Sequence, residues 1–183
     1  MFSEVELWIS LVVSGKKWYI LVSKWEEVVN TCFSYLSPHM LIGEYTHSID
    51  DKNRLSLPAK FRSLMGKKVV VTPGLDQCLF VFTHKEWEKI EEKLNQSSLL
   101  QADNRSFNRF MFAGAVDAEI DSIGRILIPD FLRDRANLKN KVVIIGVSSR
   151  LEIWNEKTWC EYKKVVEKQA DTLAEKLGQV GVL

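Results

Sequence analysis

The sequence predicts an α+β fold made of two tandem copies of one small β unit, each with a short helix and each followed by a longer one. Three observations predict it. The stretch HSIDDKNRLSLPAKFR, which opens at His47, returns as AEIDSIGRILIPDFLR 71 positions later. That shift places Ile49 on Ile120, Asp50 on Asp121, Arg54 on Arg125, Pro58 on Pro129 and Arg62 on Arg133, with Gly43 on Gly114 upstream. A second block, LFVFTHKEW, returns as LEIWNEKTW at a shift of 72, carrying Leu79, Lys85 and Trp87 onto Leu151, Lys157 and Trp159. Two blocks repeated in the same order mark a duplication. Finally, each second block runs into a stretch with apolar residues at helical spacing.

Each copy reads alike. A short strand comes first, at residues 44–49 and 116–120. A four-residue turn follows, Asp50-Asp51-Lys52-Asn53 and Asp121-Ser122-Ile123-Gly124. Aspartate suits the first turn position because its carboxylate accepts hydrogen bonds from backbone N–H groups two or more residues on. Asn53 and Gly124 at the fourth position are the residue types most tolerant of positive φ. The segments RLSL and RILI then form a second strand, with Leu55 and Leu57, or Ile126 and Ile128, on one face.

Pro58 and Pro129 stand where a helix begins, since proline needs no partner for an N–H in the first turn. The short helices are PAKFRSLM and PDFLRDRA, the first ending at Gly66. Two further strands complete each unit, VVVT and LFVF in the first copy, VVIIGV and LEIW in the second. Thr83 and Asn155 cap the longer helices. The first runs over 84–100 with Trp87, Ile90 and Leu94 on one stripe. The second runs over 156–177 with Trp159, Tyr162, Val166, Ala170, Leu173 and Leu177. One unit alone is too small to bury a sufficient core, so the copies must pack on each other, with exchange of strands one way to do so. The resulting organisation is an unassigned segment 1–39, a first unit 44–86, a connection 87–115, a second unit 116–159 and a tail 160–183.

Composition narrows the function. Hydrophobic content of 46% and charged content of 27% are those of a globular chain. Net charge is only +1, so a polyanion would have to be gripped by local placement of cations. Cys32, Cys78 and Cys160 are odd in number and lack C-x-x-C spacing, which argues for reduced cytosolic thiols. His39, His47 and His84 show no ligand spacing, so neither a metal nor another cofactor is expected. No nucleophile–base pair or phosphate-binding glycine loop points to an enzyme. The apolar run VELWISLVV is too short for a membrane helix and lacks a cationic start.

D-x-x-x-R closing a strand–turn–strand, followed by an apolar pair and proline, resembles the swapped-hairpin AbrB/SpoVT DNA-binding fold. Two such units, each ending in a tryptophan-bearing helix, look like the MraZ family of bacterial regulators, over about residues 40–177. The family's pattern has glycine before each arginine; Gly124 keeps it and Asn53 departs from it. The resemblance implies pseudo-twofold, interleaved β hairpins, ring-shaped homo-oligomers, and binding to TGGG-type direct repeats in double-stranded DNA of the protein's own promoter. It also implies regulation of the division and cell-wall gene cluster, most simply repression, at the nucleoid. The alternative is an oligomeric interaction or antitoxin-like protein of the same fold that holds a partner with its tail helix.

On this reading Arg54 is the first candidate DNA contact, with Lys52 beside it, and Arg125 its equivalent in a less cationic second loop. Asp50, Asn53, Asp121 and Gly124 shape the turns. Lys60 and Arg62 are either solvated charges or auxiliary phosphate contacts. A plainer reading of D-x-x-x-R is a hairpin-closing ion pair, which contributes little at a surface. Residues 1–39 carry Trp8, Trp18 and Trp25, and Trp25-Glu26 must be encoded by TGGGA and a purine. This suggests translated upstream DNA, with Met40 as the native start; the other possibility is a genuine extension that adds a helix or an interaction surface.

Overall fold

The computed structural model describes residues 7–13, 16–22, 40–98 and 100–181. They fall in two compact units, divided after His39. In the first, strands β1 (Leu7–Val13) and β2 (Lys16–Val22) pair antiparallel, with Leu7 opposite Val22. This segment had no assignment from sequence, and Trp25-Glu26 lies outside the described residues.

The second unit holds both repeats. The first repeat supplies β3 (Leu41–Ser48), β4 (Arg54–Ser56), α1 (Ala59–Met65), β5 (Lys68–Pro73) and β6 (Leu79–Thr83). Helices α2 (His84–Asn95) and α3 (Ala102–Gly114) lead to the second repeat. That repeat supplies β7 (Val116–Glu119), β8 (Arg125–Leu127), α4 (Asp130–Arg135), β9 (Lys141–Ser148) and β10 (Arg150–Asn155), then the tail helix α5 (Glu156–Gln179).

Strand pairing crosses between the repeats. A six-stranded antiparallel sheet runs β3-β9-β10-β6-β5-β7. Exchanging each strand for its repeat equivalent reverses that order onto itself, which is a pseudo-twofold. The axis passes between β6 and β10, where Phe80 faces its own equivalent Glu152. It also passes through a separate two-stranded ribbon, β4 with β8, where Leu55 faces Ile126. The opening strand of each repeat lies on the other repeat or at its edge: β3 pairs with β9, and β7 with β5.

The core sits between ribbon and sheet. Leu55, Leu57, Ile126 and Ile128 are fully buried there, with Phe61, Leu132, Val69, Ile144, Leu151 and Ile153. Alternation along β4 and β8 sends these side chains inward and the intervening ones outward. Pro58 and Pro129 stand immediately before α1 and α4. On the sheet's other face Trp154, Trp159 and Tyr162 cluster, with Trp154 to Tyr162 centroids 5.0 Å apart, and seat the first turns of α5. Lys163 Nζ donates to Glu44 Oε2 at 2.9 Å and ties α5 to β3. Beyond Val166 the residues of α5 are exposed as far as Gln179. Asn155 Oδ1 accepts from the Lys157 N–H at 2.9 Å, and Thr83 Oγ1 from the Glu86 N–H at 3.2 Å, the two expected caps.

Several strand ends differ from expectation by a residue or so, and three boundaries differ by more. The first strand begins at Leu41 and ends at Ser48, because Ile49 turns inward to bridge Leu55. The tail helix runs on to Gln179. The expected helix over 84–100 stops at Asn95, and a second helix follows. Ser97 Oγ donates to the Leu94 carbonyl at 2.6 Å, the local bonding by which serine competes with helix propagation. The second helix docks through Met111, whose carbonyl accepts from buried Thr72 Oγ1 at 3.1 Å, and through Phe112, edge-on to Trp87. Trp87, Ile90 and Leu94 do form the half-buried stripe of α2.

Because the pseudo-axis passes through the Leu55–Ile126 pair, truncating either side should cost the same. Leu55→Ala and Ile126→Ala should each destabilise by about 2–5 kcal/mol, read by urea unfolding. A loss confined to one of them would show that the two halves of the ribbon are not equivalent.

Candidate nucleic-acid interface

The two D-x-x-x-R loops lie side by side at the ends of the β4–β8 ribbon. Each is a type I turn followed by a left-handed residue, a three-residue hairpin loop. Asn53 N–H donates to Asp50 O and Gly124 N–H to Asp121 O, both at 2.9 Å. The positive φ falls on Asn53 (60°) and Gly124 (85°), as their residue types require. The loops are also pinned crosswise. Leu57 N–H donates to Gly124 O and Ile128 N–H to Asn53 O, both at 2.9 Å.

Inside each loop the aspartate organises both backbone and arginine. Asp50 Oδ1 accepts from the N–H groups of Lys52 and Arg54, each at 2.9 Å. Asp50 Oδ2 takes Arg54 Nε at 2.8 Å and Nη2 at 2.7 Å. Asp121 repeats the pattern with the Ile123 and Arg125 N–H groups at 3.1 and 2.8 Å, and with Arg125 Nε and Nη2 both at 2.8 Å. Arg125 Nη1 also lies 3.8 Å from Asp50 Oδ2, so Asp50 sits between both guanidiniums. The Arg54 guanidinium, and then its backbone N–H, hold the Asp50 carboxyl down to about 2. Asp121 is lowered too, chiefly by the Arg125 backbone N–H.

Ladder register fixes where the arginines stand. Arg54 is opposite Leu127 and Arg125 opposite Ser56, on the face of the ribbon turned away from Leu55 and Ile126. Even with their aspartates engaged, the Arg54 and Arg125 side chains remain 33% and 25% exposed. Lys52 stands exposed at the tip of the first loop, and Ile123 at the same place in the second. In charge the site is balanced: Lys52, Arg54 and Arg125 against Asp50, Asp51 and Asp121.

The other two nominated cations sit apart from this face. Lys60 Nζ donates to the Ile42 carbonyl at 3.4 Å. Arg62 Nε donates to Leu57 O at 2.8 Å and Nη2 to Ser56 Oγ at 3.1 Å, so its guanidinium is committed to the fold. It packs under the second loop, where a Cβ on Gly124 would run into the Arg62 side chain. A side chain at position 124 would therefore require Arg62 to shift, in addition to adopting the positive φ.

Arg133 occupies the matching place under the first loop, and sequence reasoning did not nominate it. The signal was present, since it superposes on Arg62. Asn53, larger than glycine, meets it directly: Asn53 Oδ1 accepts from Arg133 Nη1, and Asn53 Nδ2 donates to Asp130 Oδ1. Among the described residues Arg133 Nε is buried with no partner, while its counterpart Arg62 Nε reaches a carbonyl. The departure from glycine at position 53 is thus accommodated by a side-chain network that engages Arg133. His47, half-buried, has its pKa lowered by burial and then by Arg62 nearby. Among the described residues no group of His, Cys, Asp and Glu is arranged to hold a metal ion.

The family model described as "MraZ protein, putative antitoxin-like" matches the chain twice, at residues 40–110 and 111–178. A protein named transcriptional regulator MraZ from Caldanaerobacter subterraneus is 48% identical over 143 residues, 78% of this chain and the whole of that one. One of the same name from Caldicellulosiruptor saccharolyticus shows the same identity and coverage. Another, from Moorella thermoacetica, is 49% identical over 138 residues, 75% of this chain and 96% of its own.

Two expectations follow from this geometry. The Asp50 carboxyl, at about 2, lies below the ordinary value of 3.8. Its contribution to loop order is therefore present above that ordinary value and lost as pH falls through about 2. Arg54→Gln should move the NMR-detected Asp50 midpoint up toward the ordinary value; an unmoved midpoint would show that the backbone N–H groups alone hold it down. Gly124→Ala should cost about 1–2 kcal/mol from backbone strain, more if Arg62 is displaced, as thermal unfolding would measure.

Proposed function

Because the chain belongs to the MraZ family, we propose that it is a transcriptional regulator that binds double-stranded DNA through its paired arginine loops. The observation that carries this reading is the outward face of the β4–β8 ribbon, where Arg54 and Arg125 emerge from rigid turns on diagonal corners. A two-stranded ribbon fits the major groove, and an arginine fork matches the O6 and N7 acceptors of guanine. The cross-repeat pairing of β3 with β9 and β7 with β5 supports assigning the repeats to interleaved, swapped-hairpin AbrB-like units.

Charge decides how such a site could grip DNA. Three cations and three carboxylates give no net attraction, so a single chain binds weakly. The aspartates orient the arginines through Nε and Nη2, and Asp50 also lies near Nη1 of Arg125. Affinity then comes from many identical loops in a ring of chains, where linkage multiplies binding by roughly 10²–10⁴ without new contacts. The exposed length of α5, with Leu173 and Leu177 on its surface, is suited to hold neighbouring chains together. The target is DNA upstream of the protein's own coding region, carrying direct repeats of TGGG type, and the outcome is control of the division and cell-wall genes, most simply repression at the nucleoid. Among the described residues no helix is long and apolar enough to cross a membrane.

The competing reading, an interaction or antitoxin-like protein, would place the activity in α5 and leave the loops idle. Band-shift assays on the upstream fragment separate the two. Arg54→Ala should weaken binding at least tenfold, and Arg54→Lys, which keeps charge but not the fork, most of the way. The logarithm of affinity should fall with the logarithm of salt by about 0.9 per neutralised phosphate. Unchanged binding by Arg54→Ala would remove the loop from the interface.

A further inference from the structure

The two repeats keep the same residue class inside the ribbon and change it outside. Leu55 and Leu57 correspond to Ile126 and Ile128, all fully buried. At the same shift, Lys52 and Ser56 of the first loop and strand correspond to Ile123 and Leu127, and Lys60 on α1 corresponds to Phe131 on α4. These three are 57%, 56% and 51% exposed. Single exposed apolar residues are common and need no explanation. Three at equivalent places, each opposed to a polar or cationic residue in the sister repeat, form a patterned difference between two otherwise matching surfaces.

From this difference we propose that the outer face of the ribbon reads thymine through its C5-methyl group, with Leu127, beside Arg54, as the apolar seat. The proposal rests on the DNA-binding reading above and adds what Leu127 selects. Leu127 is directly opposite Arg54 in the ladder, where side chains lie within contact reach. Arg125 stands two residues away on the same face. An apolar side chain flanked by two guanidiniums is poorly suited to an apolar protein groove, which would strip water from both arginines and return no acceptors. The major-groove edge of a duplex supplies both chemistries side by side: guanine acceptors for arginine, and the thymine methyl for an aliphatic chain. At the corresponding places Lys52 stands exposed at the tip of the first loop, and Ser56, opposite Arg125, has its Oγ taken by Arg62 Nη2.

The two loops therefore make different demands on DNA. The end bearing the first loop contributes Lys52, an arginine fork and the methyl contact of Leu127; the end bearing the second contributes a fork beside Ser56. A pseudo-symmetric protein with unlike faces has a direction on the duplex. It reads a non-palindromic element, and an array of such chains is matched by elements repeated head to tail.

Deoxyuridine, which pairs as thymine does but lacks the methyl, tests this on a duplex of the DNA preceding the protein's own coding region. Binding of the full chain is measured by fluorescence anisotropy, with the thymines of one strand and then the other replaced. The unsubstituted protein should lose about fourfold in affinity for each methyl contact removed. Leu127→Ser should bind the thymine duplex more weakly and show no further loss with deoxyuridine. Since Leu127 is exposed, this variant should fold as the parent does, which its thermal unfolding would verify. Ile123→Lys, at the other end of the ribbon, should steepen the salt dependence by about one phosphate and keep the deoxyuridine effect. Equal binding to both duplexes by the parent protein overturns the proposal and leaves the DNA-binding reading standing. Equal binding together with a changed oligomeric state in Leu127→Ser assigns the patch to a protein contact instead. No binding to either duplex overturns this proposal and the DNA-binding reading together.

Discussion

Everything described here depends on the pairing of β4 with β8. It is a short ladder, three residues from each repeat, yet it carries two jobs on its two faces. Its inner face supplies Leu55 and Ile126 to the core, flanked by Leu57 and Ile128. Its outer face presents Arg54 and Arg125. The hydrogen bonds that continue the ladder run from each strand into the other repeat's loop, Leu57 to Gly124 and Ile128 to Asn53. Neither loop is held by its own repeat alone: each makes its turn and aspartate bonds within itself and takes one further bond from the other copy. Core stability and loop geometry are consequences of one contact between copies.

The Asp–Arg pair in each loop is both a structural closure and part of the candidate interface, and magnitudes separate the two. An exposed ion pair contributes little to stability, about 0–1 kcal/mol. Its value lies in geometry. One carboxylate holds two backbone N–H groups and two guanidinium donors, which removes most of the arginine's rotational freedom before any ligand arrives. Preorganised donors spare the ordering cost that binding would otherwise incur. The accompanying cancellation of charge, three cations against three carboxylates, leaves a single loop pair with little net field of its own.

The parts legible in the sequence were those set by local chemistry. Aspartate at the head of a turn, Asn53 or Gly124 at its end, proline before a short helix, and Thr83 and Asn155 as caps all act within a few residues, and all are where those residue types place them. The duplication made the inner face of the ribbon readable as well. What local chemistry could not show was partnership. Nothing in LIGEYTHS says that its neighbour is β9 and not a strand of its own repeat. Helix α3 was hidden because its docking residues, Met111, Phe112 and Gly114, sit at the end of a polar run. The roles of Arg62 and Arg133 were hidden because each acts on a loop far away in sequence, through a space that only the folded pair defines.

Duplication within one chain explains why the copies could diverge as they have. In a symmetric dimer of identical chains, a change at a loop residue appears twice, and both loops must tolerate it. Here each loop answers separately. Gly124 leaves room for Arg62 to reach a carbonyl, whereas Asn53 fills that room and binds Arg133 itself. The same turn is therefore braced in two ways, with the left-handed conformation kept in both. Inside the ribbon no such freedom exists, since Leu55 and Ile126 share one fully packed site on the pseudo-axis, and volume lost on one side must be made up on the other. Within the ribbon the residue class is kept inward and changes outward, where Ser56 corresponds to Leu127, as Lys52 does to Ile123 at the loop tips. A ribbon that keeps its residue class where it packs and changes it where it meets solvent is one in which the two surfaces are free to recognise different things.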